Sequence, residues 1–299
     1  MVIRIGTNEG GGTFHTQGLA LKTVLDRIDT LAPVEVLESV QASIDNANRL
    51  HSGELDFGFM ASNWLGRARL GEAPFARPVD LRMAAPMNAG PLFFIARADS
   101  PIRALADLRG RRVVVGPRGS GMIQHAHCIF GALGLGFSDF TPLYLDFATG
   151  SDTLVAGEAD AQLQCPVPNK VMTDLAERIA LRVLAYGPGQ LDTVLKTVPY
   201  YRHSVMKTGA IRGLNADVSQ IAVVNVLVTH ARIAGATVHA VVRAIVSGAG
   251  ELGRINPLFA GLDDLLRLLR SGGPAALEFG GVALHAGALR AYREAGLLA

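Results

Sequence analysis

A run of apolar residues followed by small and polar residues predicts a strand, a loop and a helix between positions 112 and 133. Residues 112–115 include three consecutive valines, a pattern typical of a buried parallel strand. Residues 116–121 read Gly-Pro-Arg-Gly-Ser-Gly, which favours a tight loop. The following residues place apolar side chains at helical spacing: Met122, Ile123, Ala126, Phe130 and Leu133.

The same pattern occurs twice near the start of the chain. Residues 2–5 alternate as a strand, residues 6–12 are a glycine-rich loop, and Thr13 is expected to cap a helix. Residues 34–37 form a weaker strand, and Ser43 is expected to cap the helix behind it. Because open α/β sheets bind ligands at the carboxyl ends of their strands, these three strand–loop–helix segments predict an α/β fold with a ligand crevice.

Later segments indicate where the chain passes from one domain to another. Residues 81–86 and 92–96 are predicted to be separate strands, with residues 87–91 as a crossover between lobes. Residues 187–213 are rich in glycine and proline and predict irregular structure. Residues 221–228 are predicted to form a long apolar strand that returns the chain to the first lobe.

Composition agrees with two folded lobes and excludes several classes of protein. A chain of 299 residues is long for one core, so we expect one α/β lobe of residues 1–88 plus 224–299 and another of residues 89–223. With 49% hydrophobic and 18% charged residues, global disorder is excluded. A net charge of +2 without a basic run gives no electrostatic footprint for nucleic acid. Cys128 and Cys165 lack metal-ligand spacing and are expected to be unpaired thiols.

The end of the loop that follows the three valines, residues 118–122, is the first candidate site. Backbone N–H groups at a helix N-terminus, together with the helix dipole, favour an anion. Gly119, Gly121 and Met122 would supply such groups. The Ser120 hydroxyl either caps the helix or contacts a ligand, and Arg118 either pairs with a carboxylate or lies in solvent.

A second group of candidates follows the glycine-rich loop at the start of the chain. Thr13 and Phe14 offer a hydroxyl and a flat apolar wall, or alternatively a helix cap and a core aromatic. His15 and Gln17 form a polar pair on the first helical turn that either faces a ligand or is exposed to solvent. The remaining residues expected to line the crevice are Ser43, Asn63, Cys165 and Pro166, and Asn63 is alternatively a turn residue at the end of a strand.

These candidates do not form a set suited to covalent chemistry. No spacing pairs Cys165 with a histidine, so it is not expected to be a nucleophile. His125 and His127 are two residues apart on a predicted helix and cannot share a metal on one face. We therefore expect a binding protein with no cofactor and no metal, rather than an enzyme.

Short motifs that extend over almost the whole chain occur in the order found in one known family. They are Gly11-Gly12-Thr13-Phe14 with Gly18, Ser43 and Asn46 followed by residues 52–59, residues 108–121, Pro199-Tyr200-Tyr201, and Leu284-His285, Gly287-Ala288 and Tyr292-Arg293-Glu294 with Gly296. In this ordered set the chain resembles the TAXI-type solute-binding proteins, the receptor components of tripartite ATP-independent periplasmic (TRAP) transporters. The resemblance implies the type II periplasmic-binding-protein fold, with two α/β lobes and a ligand cleft between them.

The resemblance also implies a function, a partner and a location. The expected function is capture of a small organic anion, a carboxylate or amino-acid-like compound, for TRAP-type permease subunits by a monomer in the periplasm. Four cleft positions depart from the usual family pattern: His15-Thr16-Gln17, Gln41-Ala42-Ser43, Ala61-Ser62-Asn63 and Met122. These departures favour a polar ligand with some flat or apolar surface over a compact acidic amino acid or dicarboxylate.

An alternative from another class uses the same fold. Some cytoplasmic enzymes, among them the chorismate dehydratase type, use such a cleft for eliminations on carboxylated substrates. The sequence opens directly on a strand, with no basic and then apolar leader, and this favours the cytoplasmic alternative. The ordered motifs favour the receptor.

Overall fold

The computed structural model describes residues 2–118, 120–164 and 167–299. The strands are β1 (Ile3–Gly6), β2 (Val34–Leu37), β3 (Phe57–Ala61), β4 (Leu81–Arg97), β5 (Arg112–Val114), β6 (Thr141–Leu143), β7 (Ala161–Gln164), β8 (Leu181–Val183), β9 (Tyr201–Met206) and β10 (Val218–His230). The helices are α1 (Thr13–Leu25), α2 (Ser43–Ser52), α3 (Leu65–Leu70), α4 (Gly121–Ala132), α5 (Phe147–Val155), α6 (Lys170–Arg178), α7 (Gln190–Thr197), α8 (Gly235–Ser247), α9 (Ala249–Ile255), α10 (Leu262–Gly272) and α11 (Ala286–Glu294). No helix in these ranges combines the length and the apolar character needed to cross a membrane.

The chain forms two compact units. Unit 1 contains the residues up to Ala89 together with Val224–Ala299, and unit 2 contains Gly90–Val223. In unit 1 the strand order is β2-β1-β3-β10, with β1, β2 and β3 parallel and β10 antiparallel to β3. Helix α1 follows β1 and helix α2 follows β2, so the loops that begin both helices leave the same edge of the sheet.

Unit 2 repeats this arrangement with its own sheet and core. Strands β6, β5 and β7 are parallel in that order, and β4 runs antiparallel to both β7 and β8. The valine run is buried, which confirms the predicted strand, although β5 ends one residue earlier than expected. The core of the unit contains Phe93, Ile95, Val114, Leu154, Ala159, Met172, Leu175, Ala176, Leu181, Val183, Met206, Ile211 and Leu214.

One arginine–aspartate pair in each unit joins the amino ends of two adjacent parallel strands. At β1, the backbone N–H and Nε of Arg4 donate to Asp56 Oδ2 at 2.8 and 3.4 Å. At β5, the backbone N–H and Nε of Arg112 donate to Asp160 Oδ2 at 2.8 and 3.1 Å. The Arg112 guanidinium lowers the pKa of the Asp160 carboxyl, as expected for a hydrogen-bonded carboxylate. Both aspartates belong to a Gly-Glu-x-Asp sequence, so the repeated motif holds each pair of strands in the register that brings their carboxyl ends together.

Two predictions of secondary structure were wrong. Residues 81–97 form one continuous strand, β4, rather than two strands, and the chain passes from unit 1 to unit 2 within that strand, between Ala89 and Gly90. Pro86 and Pro91 suggested a break, but a strand accepts proline wherever the ladder does not need its missing N–H. Residues 187–213 are not irregular throughout, because they contain α7 and β9. Strand β9 pairs with residues 218–223 of β10, a partner that the local pattern does not reveal.

Candidate functional site

The N-terminus of α4 in unit 2 presents free hydrogen-bond donors. Ser120 is the N-cap, and its Oγ accepts from the N–H of Ile123 at 3.4 Å. No described group accepts from the N–H of Gly121 or Met122. The structure therefore shows Ser120 as a cap, and because its oxygen is the acceptor in that contact, its hydroxyl proton remains available to a ligand.

Arg118 lies beside this helix N-terminus. Its guanidinium carbon is 3.6 Å from the centre of the Tyr144 ring, a cation–π contact between the loop after β5 and the loop after β6. The side chain is exposed and has no carboxylate partner among the described residues. Stacking holds the positive charge at the edge of the sheet while its N–H groups stay free to bind an anion.

Gln164 is a polar residue at the same edge that the sequence analysis missed. It ends β7, which is parallel to β5 and pairs with it at Val113 and Val114. The side chain is 1% exposed, and its Nε2 has no hydrogen-bond partner among the described residues. By contrast, both polar atoms of Gln162 have partners, because its Nε2 donates to the Phe147 carbonyl and its Oε1 accepts from Ser151.

Three further predicted site residues lie outside the described residues: Gly119, Cys165 and Pro166.

Beyond its N-terminus, α4 contacts the tyrosines at the start of β9. His125 is 5% exposed, and its Nδ1 is 2.8 Å from Tyr201 Oη. Burial lowers the pKa of His125 to about 4, so the imidazole is neutral at pH 7. Cys128 is a free thiol whose Sγ is 3.0 Å from Tyr200 Oη. Among the described residues, no three His, Cys, Asp or Glu side chains form a group that would hold a metal ion.

In unit 1, the residues at the start of α1 are partly committed to local contacts. Gly12 is the N-cap, and Thr13 is the first helical residue, so the prediction that Thr13 caps the helix was wrong. Phe14 is buried and stacks on Phe59 with ring centres 5.6 Å apart, which makes it part of the core. Thr13, between the Gly12 cap and the buried Phe14, has an exposed side chain at the start of α1.

His15 is held in place by its neighbours instead of extending into solvent. Its Nδ1 accepts from the N–H of Gly11 at 3.2 Å, and its backbone N–H donates to Asn8 Oδ1 at 2.8 Å. Its Nε2 is 3.5 Å from Glu38 Oε1, and only 18% of the side chain is exposed. Because Nδ1 is an acceptor here, the proton of the neutral ring is on the nitrogen that faces Glu38.

Ser43 was also wrongly predicted to be a helix cap. Ala42 is the N-cap of α2, with φ 44°, and it is the single non-glycine residue with positive φ in the described ranges. The Ser43 hydroxyl instead accepts from the N–H of Ala61, the last residue of β3. Ser43 therefore ties the start of α2 to the carboxyl end of β3, next to Asn63.

Gln17 belongs to a buried cluster of carboxamides that sequence reasoning did not assemble. Gln17 is fully buried, and its Nε2 donates to Asn88 Oδ1 at 3.1 Å. Asn225 Nδ2 donates to the same oxygen at 3.1 Å. Asn88 and Asn225 are polar residues inside the apolar strands β4 and β10, and this interruption of an apolar run was the signal that would have indicated them.

Asn63 follows the carboxyl end of β3 in the short 3-10 helix Ser62–Trp64. It is 8% exposed, and neither Nδ2 nor Oδ1 has a hydrogen-bond partner among the described residues. A turn asparagine ordinarily bonds to its own backbone, so the alternative interpretation of Asn63 as a turn residue does not account for these atoms. In unit 1 the structure thus brings Ser43, Asn63 and the Gln17 cluster to one end of β3, while Phe14 packs on Phe59 in the core.

Comparison with known proteins relates the chain to one family and one fold. The model of the NMT1-like family matches residues 5–296. A putative sulfonate ABC transporter periplasmic sulfonate-binding protein, SsuA from Methylobacillus flagellatus KT, is similar with a TM-score of 0.57 and 15% identity, covering 99% of this chain and 95% of that chain. A TctC solute-binding protein from Polaromonas is similar with a TM-score of 0.56 and 16% identity, covering 88% of each chain.

The periplasmic aliphatic sulphonate-binding protein SsuA from Escherichia coli gives a TM-score of 0.51 and 18% identity, covering 88% of this chain and 78% of that chain. At these identities the likeness concerns the fold. It confirms the predicted α/β class and matches this chain to structures of periplasmic solute-binding proteins.

Proposed function

We propose, because this chain belongs to the NMT1-like family, that it is a solute-binding protein that captures a small organic anion for a membrane transporter. The observation that carries the proposal is the N-terminus of α4, where the N–H groups of Gly121 and Met122 have no described acceptor. The Ser120 hydroxyl proton, the Arg118 guanidinium and Gln164 Nε2 add further donors at the same edge of unit 2. Donors without acceptors and a positive helix end suit a carboxylate or a sulfonate.

Fold relatives support the class of function. The similar structures are those of periplasmic sulfonate-binding proteins and of a TctC solute-binding protein, whose names describe proteins that bind small molecules. The order of the TAXI motifs supports the finer proposal of a TRAP-type permease as the partner and the periplasm as the location. We expect a gene for a large multi-span permease beside this one, and a biosynthetic cluster at that position would favour the enzyme alternative instead.

Substitution of the donors tests the anion site. A thermal-shift screen of carboxylates and sulfonates on purified protein selects the probe, because a ligand at a hundredfold its Kd raises the free energy of unfolding by about 2.7 kcal/mol. Ser120→Ala removes one charge-assisted hydrogen bond, so we expect binding of that probe to weaken by about 1.5–3 kcal/mol in calorimetric titration. Arg118→Ala is expected to weaken binding as well, since it removes the guanidinium over Tyr144.

Arg111 provides the control, because it is an exposed arginine at the amino end of β5. Arg111→Ala is expected to leave the affinity unchanged. If Ser120→Ala and Arg118→Ala both bind the probe as tightly as the wild type does, the loop is a structural turn and the anion site is elsewhere. Mass spectrometry of the probe after incubation checks the enzyme alternative, which predicts a chemically changed product.

A further inference from the structure

Among the described residues of unit 1, three carboxamide atoms are buried without a hydrogen-bond partner. They are Oε1 of Gln17 and both polar atoms, Nδ2 and Oδ1, of Asn63. Gln17 is 0% exposed and Asn63 is 8% exposed. A folded protein rarely buries an amide without a hydrogen bond, because the lost contact with water is not replaced. An asparagine with both ends unpartnered is therefore a strong indication of a bound group.

The unpartnered amides lie in one region of the unit. Gln17 and Asn225 both donate to Asn88 Oδ1, which places these three side chains in direct contact. Asn225 is opposite Ala61 in the β3–β10 ladder, and Asn63 comes two residues after Ala61. Directly opposite residues in an antiparallel ladder are about 5 Å apart, so Asn225 and the two side chains in contact with it lie at the carboxyl end of β3, the end that Asn63 follows.

The chemistry of the four side chains selects the kind of group that fits them. Gln17 and Asn225 each donate one N–H to the Asn88 oxygen. The polar atom of Gln17 that remains unpartnered is therefore its acceptor, Oε1. Asn63 offers both a donor and an acceptor. All four side chains are uncharged and provide no counter-charge. A carboxylate only accepts, so it could bind Asn63 Nδ2 but would leave the acceptor oxygens of Gln17 and Asn63 without a donor, whereas a primary amide or a hydroxyl can also donate to them.

We propose that Gln17, Asn63, Asn88 and Asn225 form a subsite for a neutral polar group of the ligand, a carboxamide or a hydroxyl, and that this subsite determines specificity against dicarboxylates. The inference rests on the proposed function, since it assigns a neutral polar group to the captured solute. It gives Asn63 and Gln17 the role of specificity-determining residues, with Asn88 and Asn225 fixing the orientation of Gln17.

A matched pair of variants tests the subsite in the protein alone. Asn63→Leu replaces an unpartnered amide with an apolar group of similar shape, so we expect the thermal midpoint without ligand to rise by about 2 °C or more. Asn46→Leu is the control, because Asn46 is also buried in unit 1 but donates to the carbonyls of Thr7 and Phe59, both at 2.9 Å, and accepts from Ser39. The thermal midpoint of Asn46→Leu is expected to fall. A fall for Asn63→Leu as well would mean that Asn63 is part of the structural network, and the subsite would be overturned.

Paired probes test the preferred group. Thermal midpoints are measured with equal concentrations of succinamate and succinate, and of glutamine and glutamate, on the wild type and on Asn63→Leu. We expect the amide member of a pair to give the larger shift on the wild type and to lose that advantage on Asn63→Leu. Equal shifts, or larger shifts for the dicarboxylates, would overturn the neutral subsite while leaving the anion site intact. If none of the four probes shifts the midpoint, the result counts against the carboxylate ligand of the proposed function. The subsite would then be decided by the ligand-free midpoints of Asn63→Leu and Asn46→Leu.

Discussion

His125 is a buried titratable side chain whose protonation opposes folding. Its pKa is lowered to about 4 by burial, from an ordinary value of 6.5. The unfolded chain therefore takes up a proton as the pH falls below 6.5, while the folded chain stays neutral until about pH 4. The stability that depends on the neutral ring is complete above pH 6.5 and is lost progressively below it.

This linkage gives a prediction for the pH dependence of stability. The His125 contribution to the free energy of unfolding is expected to be about 2 kcal/mol smaller at pH 5 than at pH 7. His125→Gln retains a hydrogen bond to Tyr201 and should remove this difference, which urea unfolding at both pH values would measure. His127→Gln is the control, since His127 lies on the same helix but is exposed. An unchanged pH dependence in His125→Gln would show that the buried imidazole is not its source.

Sequence reasoning at the residue scale succeeded where a role depends on neighbours in the chain. The Ser120 cap bonds three residues ahead, and local rules for helix starts predict such a contact. The carboxamide cluster was missed because Gln17 and Asn225 bond to Asn88 from 71 and 137 positions away. Ala42 was missed for a different reason: glycine is the residue expected at a positive φ, and alanine gives no sign of that conformation.

At the scale of elements, the crossing of α8 and α11 depends on a glycine. A Cβ added to Gly287 would strike the carbonyl oxygen of Gly235 and come within 2.9 Å of the His239 backbone nitrogen. These atoms are backbone, so relief requires that the two helices separate. The Gly-Ala pair near the end of the chain, one of the sequence motifs, thus has a packing role in unit 1.

Substitution of this glycine has an expected cost. Gly287→Ala should lower the free energy of unfolding by about 1–3 kcal/mol, as overpacking does in other cores. Gly250→Ala in α9 is the matched control, because its Cβ meets no atom within 4 Å, and it should raise stability by roughly 0.4–1 kcal/mol. Chemical denaturation of both variants measures the difference. Equal effects of the two substitutions would contradict a close helix crossing at Gly287.

The elements themselves were predictable where hydrophobic periodicity is strong. The valine strand β5 and the apolar strand β10 follow from their patterns, although β10 is longer than the predicted segment 221–228. Strand β9 did not follow, because it is stabilised by pairing with β10 rather than by its own sequence. The break predicted inside β4 shows the opposite error, in which proline and glycine were given more weight than the apolar residues on both sides.

At the scale of the whole molecule, the α/β class was predictable because three strand–loop–helix segments and an ordered set of motifs indicate it together. Similar solved structures confirm it. The ligand and the transporter type do not follow in the same way. They depend on a few side chains at the strand ends, and those side chains are where this chain departs from the TAXI pattern. Physical tests of the donors at α4 and of the amides in unit 1 therefore carry more information about the ligand than the fold does.

The topology makes the two units unequal as independent folding units. Unit 2 is continuous from Gly90 to Val223, and its core and the ladders that join β5, β6, β7 and β9 to their partners lie within that segment. Unit 1 is discontinuous, because β3 requires β10 as its antiparallel neighbour and Ala84 accepts from Tyr292 of α11. Without the second segment, the residues before Ala89 would lose α8 and α11 and would expose side chains that are buried in the complete unit.

We therefore expect a fragment of residues 90–223 to unfold cooperatively in urea, and a fragment of residues 1–89 to show no cooperative transition. Circular dichroism and amide hydrogen exchange would make the comparison, and adding residues 224–299 to the 1–89 fragment as a separate chain is expected to restore protected amides in β3. A cooperative transition of residues 1–89 alone would contradict the dependence of β3 on β10. Failure of residues 90–223 to fold would mean that unit 2 needs contacts from outside its own core.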